Sequence, residues 1–133
     1  MPFYNCFCPA SFLSTDAKKR IARGITDIHC GLTGAPRQFV HVIFSEYTSE
    51  NGFSAGEPSQ ASLVRGFIRA GRTQDVKEEM LREISELWIR EAGTPPEKLL
   101  VSLSENPGTN AMEGGVLLPH PKDDDAWLRE NQH

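Results

Sequence analysis

The sequence contains one unit written twice. Across its 133 residues, a shift of 59 with no gap places Asp16 on Asp75, Lys18 on Lys77, Arg23 on Arg82 and Ile25 on Ile84. The same shift places Gly34 on Gly93, Pro36 on Pro95, Val42 on Val101, Ser45 on Ser104 and Glu46 on Glu105. A repeat of this kind confines the chain to folds made of two equivalent supersecondary units. The copies run over about 2–47 and 61–106 of one domain spanning 1–133, with a C-terminal tail from 107 to 133.

Each copy reads as strand, helix, strand. In the first, Phe3 to Cys8 is a short aromatic-rich strand that ends before Pro9. Ser14 or Thr15 caps a helix with Asp16 in its first turn. Ala17, Ile21, Ile25, Ile28 and Leu32 recur at helical spacing, and Gly31 and Gly34 close the segment. After Pro36, Phe39 to Phe44 predicts a second strand. In the second copy Leu63 to Arg69 is a strand, and Thr73 caps a helix with the apolar stripe Val76, Met80, Ile84, Leu87 and Trp88. Gly93 and Pro95 stop that helix before a strand over Leu99 to Leu103. Thr48 to Gln60 has the composition of an exposed hairpin or loop, and Gly114 to Leu118 reads as a short edge strand in an acidic tail.

A helix is a crossover long enough to make the two strands of each copy parallel, with right-handed connection. The predicted fold is therefore α/β (α+β): duplicated β-α-β units forming a four-stranded mixed sheet with both helices on one face. The other sheet face also carries apolar residues and has no helix over it, which predicts a symmetric oligomer.

The formal net charge of −4, with no Lys/Arg block, argues against nucleic acid as a partner. No apolar run approaches the ~18 residues of a membrane span, and the start has no basic segment or long apolar core of a signal peptide. Cys6, Cys8 and Cys30 are odd in number and lack metal-site spacing, which fits reduced thiols in the cytoplasm. His29, His41, His120 and His133 have no ligand spacing either, so no metal or cofactor is expected.

The places where the copies differ are informative, because structural need acts on both alike. Under the ungapped shift Pro2 faces Ala61, Ala10 and Leu13 face Arg69 and Arg72, and His29 faces Trp88. Pro2 follows the initiator Met1, and removal of Met1 leaves a rigid secondary amine. In an apolar pocket beside cations its ammonium form is disfavoured, which brings it into the range of a general acid or base. If Met1 stays, the amine is blocked; Met-Pro is also a common start. Arg69 and Arg72 flank a helix N-terminus, where two guanidinium forks suit a carboxylate, although salt bridging to the many glutamates is the plainer role. His29 sits at the edge of the apolar stripe and is also readable as a packed residue. Glu113 lies in a Met-Glu-Gly-Gly context, either a solvated loop carboxylate or one turned inward toward water or a substrate carbon.

These residues together resemble the tautomerase superfamily, and more narrowly its cis-3-chloroacrylic acid dehalogenase-like group, with the tautomerase/migration-inhibitory-factor-like fold. The matching stretches are Ala22 to Gly34, Ile68 to Asp75 and Glu105 to Pro119. The resemblance implies a homotrimer with a proline site in each subunit and Pro2 as catalytic acid or base. It implies that Arg69 and Arg72 bind a carboxylate, that His29 binds and orients substrate, and that Glu113 activates water. One position departs: Ser102 stands where the dehalogenases carry a tyrosine that assists the glutamate, and serine is too short to replace it. The resemblance thus favours proline-dependent tautomerisation of a small 2-oxo or enol carboxylic acid. Hydration or dehalogenation of a cis-3-haloacrylate is the alternative, and a non-catalytic binding protein on the same scaffold is the third.

Overall fold

Ser14 and Thr73 start two equivalent helices by the same chemistry. The Ser14 hydroxyl accepts from the amide of Ala17 at 3.0 Å and that of Thr73 from Val76 at 3.2 Å. These caps satisfy amides that the first turn leaves free. Helix α1 spans Thr15–Thr33 and α2 spans Gln74–Ala92. Both end on glycine in the left-handed region, Gly34 at φ 74° and Gly93 at φ 72°, conformations that cost other residues strain. This computed structural model describes residues 1–131; the last two residues, His133 included, lie outside the described residues.

The strands are β1 (Phe3–Pro9), β2 (His41–Tyr47), β3 (Phe53–Ser54), β4 (Glu57–Pro58), β5 (Ser62–Arg69), β6 (Leu99–Asn106), β7 (Met112–Glu113) and β8 (Val116–Leu117). A last helix, α3, spans Asp124–Glu130. The main sheet has the order β2-β1-β5-β6. β1 runs parallel to β2 and β5 to β6, while β1 and β5 meet antiparallel at the centre. This is the expected mixed sheet. Its core lies between one sheet face and the two long helices, where Tyr4, Cys6, Cys8, Val64 and Ile68 meet Ile21, Ile25, Met80, Ile84 and Trp88. Burial pushes the Cys6 thiol up to about 12, so it behaves as a small hydrophobe.

Three details differ from the sequence reading. First, Arg37–Phe39 forms a 3₁₀ turn after Pro36, so β2 begins at His41 rather than Phe39. Second, Gly114–Leu118 does not add an edge strand to the main sheet. Gly114 (φ 60°) and Gly115 (φ 81°) fold the segment back on itself, giving the separate β7–β8 hairpin. β3–β4 is the same device at the same shift of 59, turning through Ala55 and Gly56, so the likeness of the two copies continues to Leu117. Third, the ungapped shift fails in the leading strands. Phe3 pairs with His41, whereas Leu100, the counterpart of His41, pairs with Leu63. The first strands therefore superpose at 60 residues, with the extra residue in the Ala10–Leu13 loop, where Ser11 takes φ 63°. The structural counterpart of Pro2 is Ser62, and that of Arg69 is Pro9. A one-residue slip matters in a strand because it exchanges the two faces.

The face away from the helices carries Phe3, Phe7, Leu63 and Phe67 on the central strands, with Ile43 and Leu100 outside them at 59% and 58% exposure. No described helix is long and apolar enough to cross a membrane.

Candidate active site

The site is assembled at the start of β1. Pro2 is fully buried, and its carbonyl accepts from the His41 amide at 3.0 Å, which continues the parallel β1–β2 ladder. The amino terminus on Met1 donates to the Glu113 carboxylate. Glu113 reaches this point because the β7–β8 hairpin folds over the end of β2, where the His41 ring lies 2.9 Å from its Oε1. Burial acts to raise the Glu113 carboxyl, but its hydrogen bonds to the amino terminus and His41 outweigh that and hold it below the usual carboxylate range.

His29 lies on the inward face of α1, 1% exposed. Its Nδ1 is 2.8 Å from the Tyr4 hydroxyl. Tyr4 has room for its ring because residue 66 is glycine: a Cβ there would lie 2.5 Å from Tyr4 Cε1. Burial first, then the charges of Arg72, Arg69 and the amino terminus, push His29 down to about 3. It is a neutral imidazole whose Nε2 is buried with no hydrogen-bond partner among the described residues.

Arg72 precedes the cap of α2. Its Nη1 donates to the Thr33 carbonyl at 3.2 Å, and its Nε is buried without a partner among the described residues. Burial, and then the charge of Arg69, lower its affinity for its proton. Two orphaned polar atoms, one on His29 and one on Arg72, thus share a buried corner. Native interiors rarely leave such atoms unsatisfied, and each marks a point where water or a ligand can bond.

Arg69, at the end of β5, is held quite differently. Its guanidinium donates to both Asp124 oxygens, at 2.7 and 2.8 Å, and to the Pro119 carbonyl at 3.0 Å. It also lies over the Phe39 ring at 5.4 Å. The fork expected to take an outside carboxylate is occupied by the chain's own tail. Trp127 docks α3 beside it, edge-on to Phe39 at 5.3 Å and donating to the Leu117 carbonyl at 2.7 Å. A cavity of about 180 Å³ opens here, lined by Gln38, Phe39, Glu113, Gly114, Trp127 and Asn131.

The charges of Arg69, Arg72 and the amino terminus all act on His29, and Glu113 bonds that same amino terminus, so these groups gather around the start of β1 that holds Pro2. Ser102 is not among them. It lies on β6 opposite Arg65, on the open sheet face, in a groove with Phe7, Leu63, Leu100 and Ser104. The equivalent corner of the second copy is closed: Trp88 replaces His29, fills the space and donates to Thr94 Oγ1 at 2.9 Å, beside buried Ser62. Arg69, Arg72 and the amino terminus face Asp124 and Glu113, leaving one positive charge among these groups. Among the described residues no group of three His, Cys, Asp or Glu stands together in a way that could hold a metal ion.

Sequence reasoning missed Tyr4, His41 and Asp124 as parts of this site. The only available signal for His41 was its repeat counterpart, the apolar Leu100.

Residues 1–132 match the family described as "Putative oxalocrotonate tautomerase enzyme". The chain belongs to this tautomerase family. Among solved structures it is similar to native Ps01740, with 34% identity over 84% of this chain and 99% of that one, at a TM-score of 0.82. It is also similar to N1, a member of the cis-3-chloroacrylic acid dehalogenase family, with 29% identity, 97% and 92% coverage and a TM-score of 0.93. A fused 4-OT symmetric trimer shares the fold at 23% identity, 87% and 94% coverage and a TM-score of 0.80. No curated protein sequence matches the chain. Membership in the tautomerase family agrees with the mixed sheet and its two helices, and with a polar corner built in one copy of the repeat alone.

Proposed function

We propose that this chain is a tautomerase acting on a small 2-oxo or enol carboxylic acid, with Pro2 as the acid–base group once Met1 is removed. The observation that carries the reading is the buried corner where His29 Nε2 and Arg72 Nε lack partners and where the charge of the amino terminus is felt at His29. An anionic, oxygen-bearing ligand supplies what both atoms lack. Arg72 takes the carboxylate, and Arg69 adds its charge while Asp124 holds it still. With Tyr4 donating to Nδ1, His29 carries its proton on Nε2 and offers it to the enol or keto oxygen.

The reaction is one proton relocated. The Pro2 nitrogen takes the enol hydroxyl proton, the O–H electron pair forms the carbonyl, and the C=C pair takes the proton back from the Pro2 ammonium at carbon. Pro2 returns to its neutral state. Cationic and N–H groups around the oxygen stabilise enolate-like charge without rearrangement. Glu113 bonds the Met1 amine, one residue before Pro2, and once Met1 is gone its negative charge favours the protonated form of the nearby Pro2 amine and so balances the two transfers.

Subunits of this kind assemble in the fused 4-OT symmetric trimer. We assign the same homotrimer here, with the open apolar sheet face covered by neighbouring copies.

A second reading is hydration or dehalogenation of a cis-3-haloacrylate. It is favoured by one observation: Glu113 is ionised and borders a cavity with room for water and a small acid. Ser102, too short to stand in for a phenol, weighs against it. A substrate panel on protein whose intact mass shows Met1 removed separates the readings. Ketonisation of an aryl enolpyruvate with no halide release from cis-3-haloacrylate supports the first, halide release above buffer supports the second, and neither supports a binding protein.

A further inference from the structure

We propose that His41 is a positioning residue that fixes the Glu113 carboxylate against the Pro2 amine. This rests on the proline reading above and extends it to a residue outside the five that the sequence singled out. His41 touches the site twice. Its amide donates to the Pro2 carbonyl at 3.0 Å, and its ring Nε2 meets Glu113 Oε1 at 2.9 Å. One residue therefore ties the backbone of the base to the carboxylate beside it.

The carboxylate needs such a tie. Glu113 sits on a two-residue strand next to a Gly114-Gly115 turn, a short arm outside the main sheet. Its two described donors are His41 and the Met1 amine, and the second leaves with Met1. His41 is what remains.

The repeat adds an independent argument. The counterpart of His41 is Leu100 and that of Glu113 is Ser54, at the same position of the first hairpin. Sheet and hairpin are built equally well in both copies, but leucine and serine cannot form this pair. It exists only in the copy that also carries Pro2 and His29. Stability does not account for it: the side chains are 51% and 25% exposed, and exposed pairs of this kind contribute little. Orientation of the carboxylate is the effect left.

The test is a double-mutant cycle on Met1-free protein, reading kcat for ketonisation in wild type, His41→Phe, Glu113→Gln and the double variant. We expect His41→Phe to lower kcat about tenfold in the wild-type background and less than about twofold in the Glu113→Gln background. His41→Gln, which keeps an N–H donor, should recover most of the loss. An equal cost in both backgrounds, or no cost in either, overturns the proposal. The pair is also read without turnover, by ¹⁵N NMR of the His41 ring at mildly alkaline pH. The Nε2–H resonance should carry a hydrogen-bonded shift in wild type and move toward the free-imidazole position in Glu113→Ala; an unchanged resonance overturns the proposal even if the proline reading stands. Failure of the proline reading appears elsewhere, as full activity in Pro2→Ala.

Discussion

Arg69 and Asp124, 55 residues apart in the chain, form a two-pronged ion pair with 1% of the arginine side chain and 10% of the aspartate side chain exposed. The pair anchors α3 across the end of β5 and takes both oxygens of the carboxylate. Removing one partner of a buried pair strands the other charge, which costs about 3–5 kcal/mol. Asp124→Ala should therefore lower the melting temperature sharply. An unchanged melting temperature would show that the pair is dispensable.

His29 makes stability depend on acid. Its pKa falls from 6.5 to about 3 on folding, so between those values the unfolded chain binds the extra proton. Stability contributed by the neutral ring is complete above pH 6.5 and is lost as pH falls toward 3, by on the order of 3 kcal/mol at pH 4. Urea unfolding at pH 7 and pH 4 should show a smaller acid loss for His29→Gln than for wild type. Equal losses would mean that His29 titrates normally in the folded chain.

The open sheet face makes a separate statement about assembly. Leu100 and Ile43 are exposed in the single chain, and covering a leucine is worth roughly 1.5–3 kcal/mol. Wild type should sediment as a trimer, and Leu100→Glu should shift it toward the monomer. A monomeric wild type would remove the trimer from the account.

Most of the scaffold was legible because its signals are local. Ser14 and Thr73 cap helices through contacts three residues away, and Gly34 and Gly93 end them with their own backbone. The leading strands were legible as strands, but their offset was not. It depends on one extra residue near Ser11, visible only in which residues pair. The β7–β8 hairpin was hidden for a related reason: Gly114-Gly115 and Ala55-Gly56 make the same turn with different letters.

The site divided along the same line. Pro2, His29, Arg69 and Arg72 break the repeat, and that asymmetry is readable from sequence, whereas Glu113 stood in a tail outside the copies until the two hairpins were seen to match. The partners of these residues are not readable in the sequence. Asp124 stands in an acidic run with Asp123 and Asp125, and nothing local distinguishes the one that reaches Arg69. Tyr4 reads as a core aromatic until its hydroxyl is seen against His29, and the room for its ring comes from Gly66 across the strand pair.

The central claim is that the Pro2 amine moves the proton. The measurement is the steady-state rate of aryl enolpyruvate ketonisation by Pro2→Ala, compared with wild type, in protein whose intact mass shows Met1 removed and whose circular dichroism is native. General acid–base groups contribute about 10²–10⁴-fold, so the account predicts a loss of at least about a hundredfold. A variant that ketonises at the wild-type rate would contradict it.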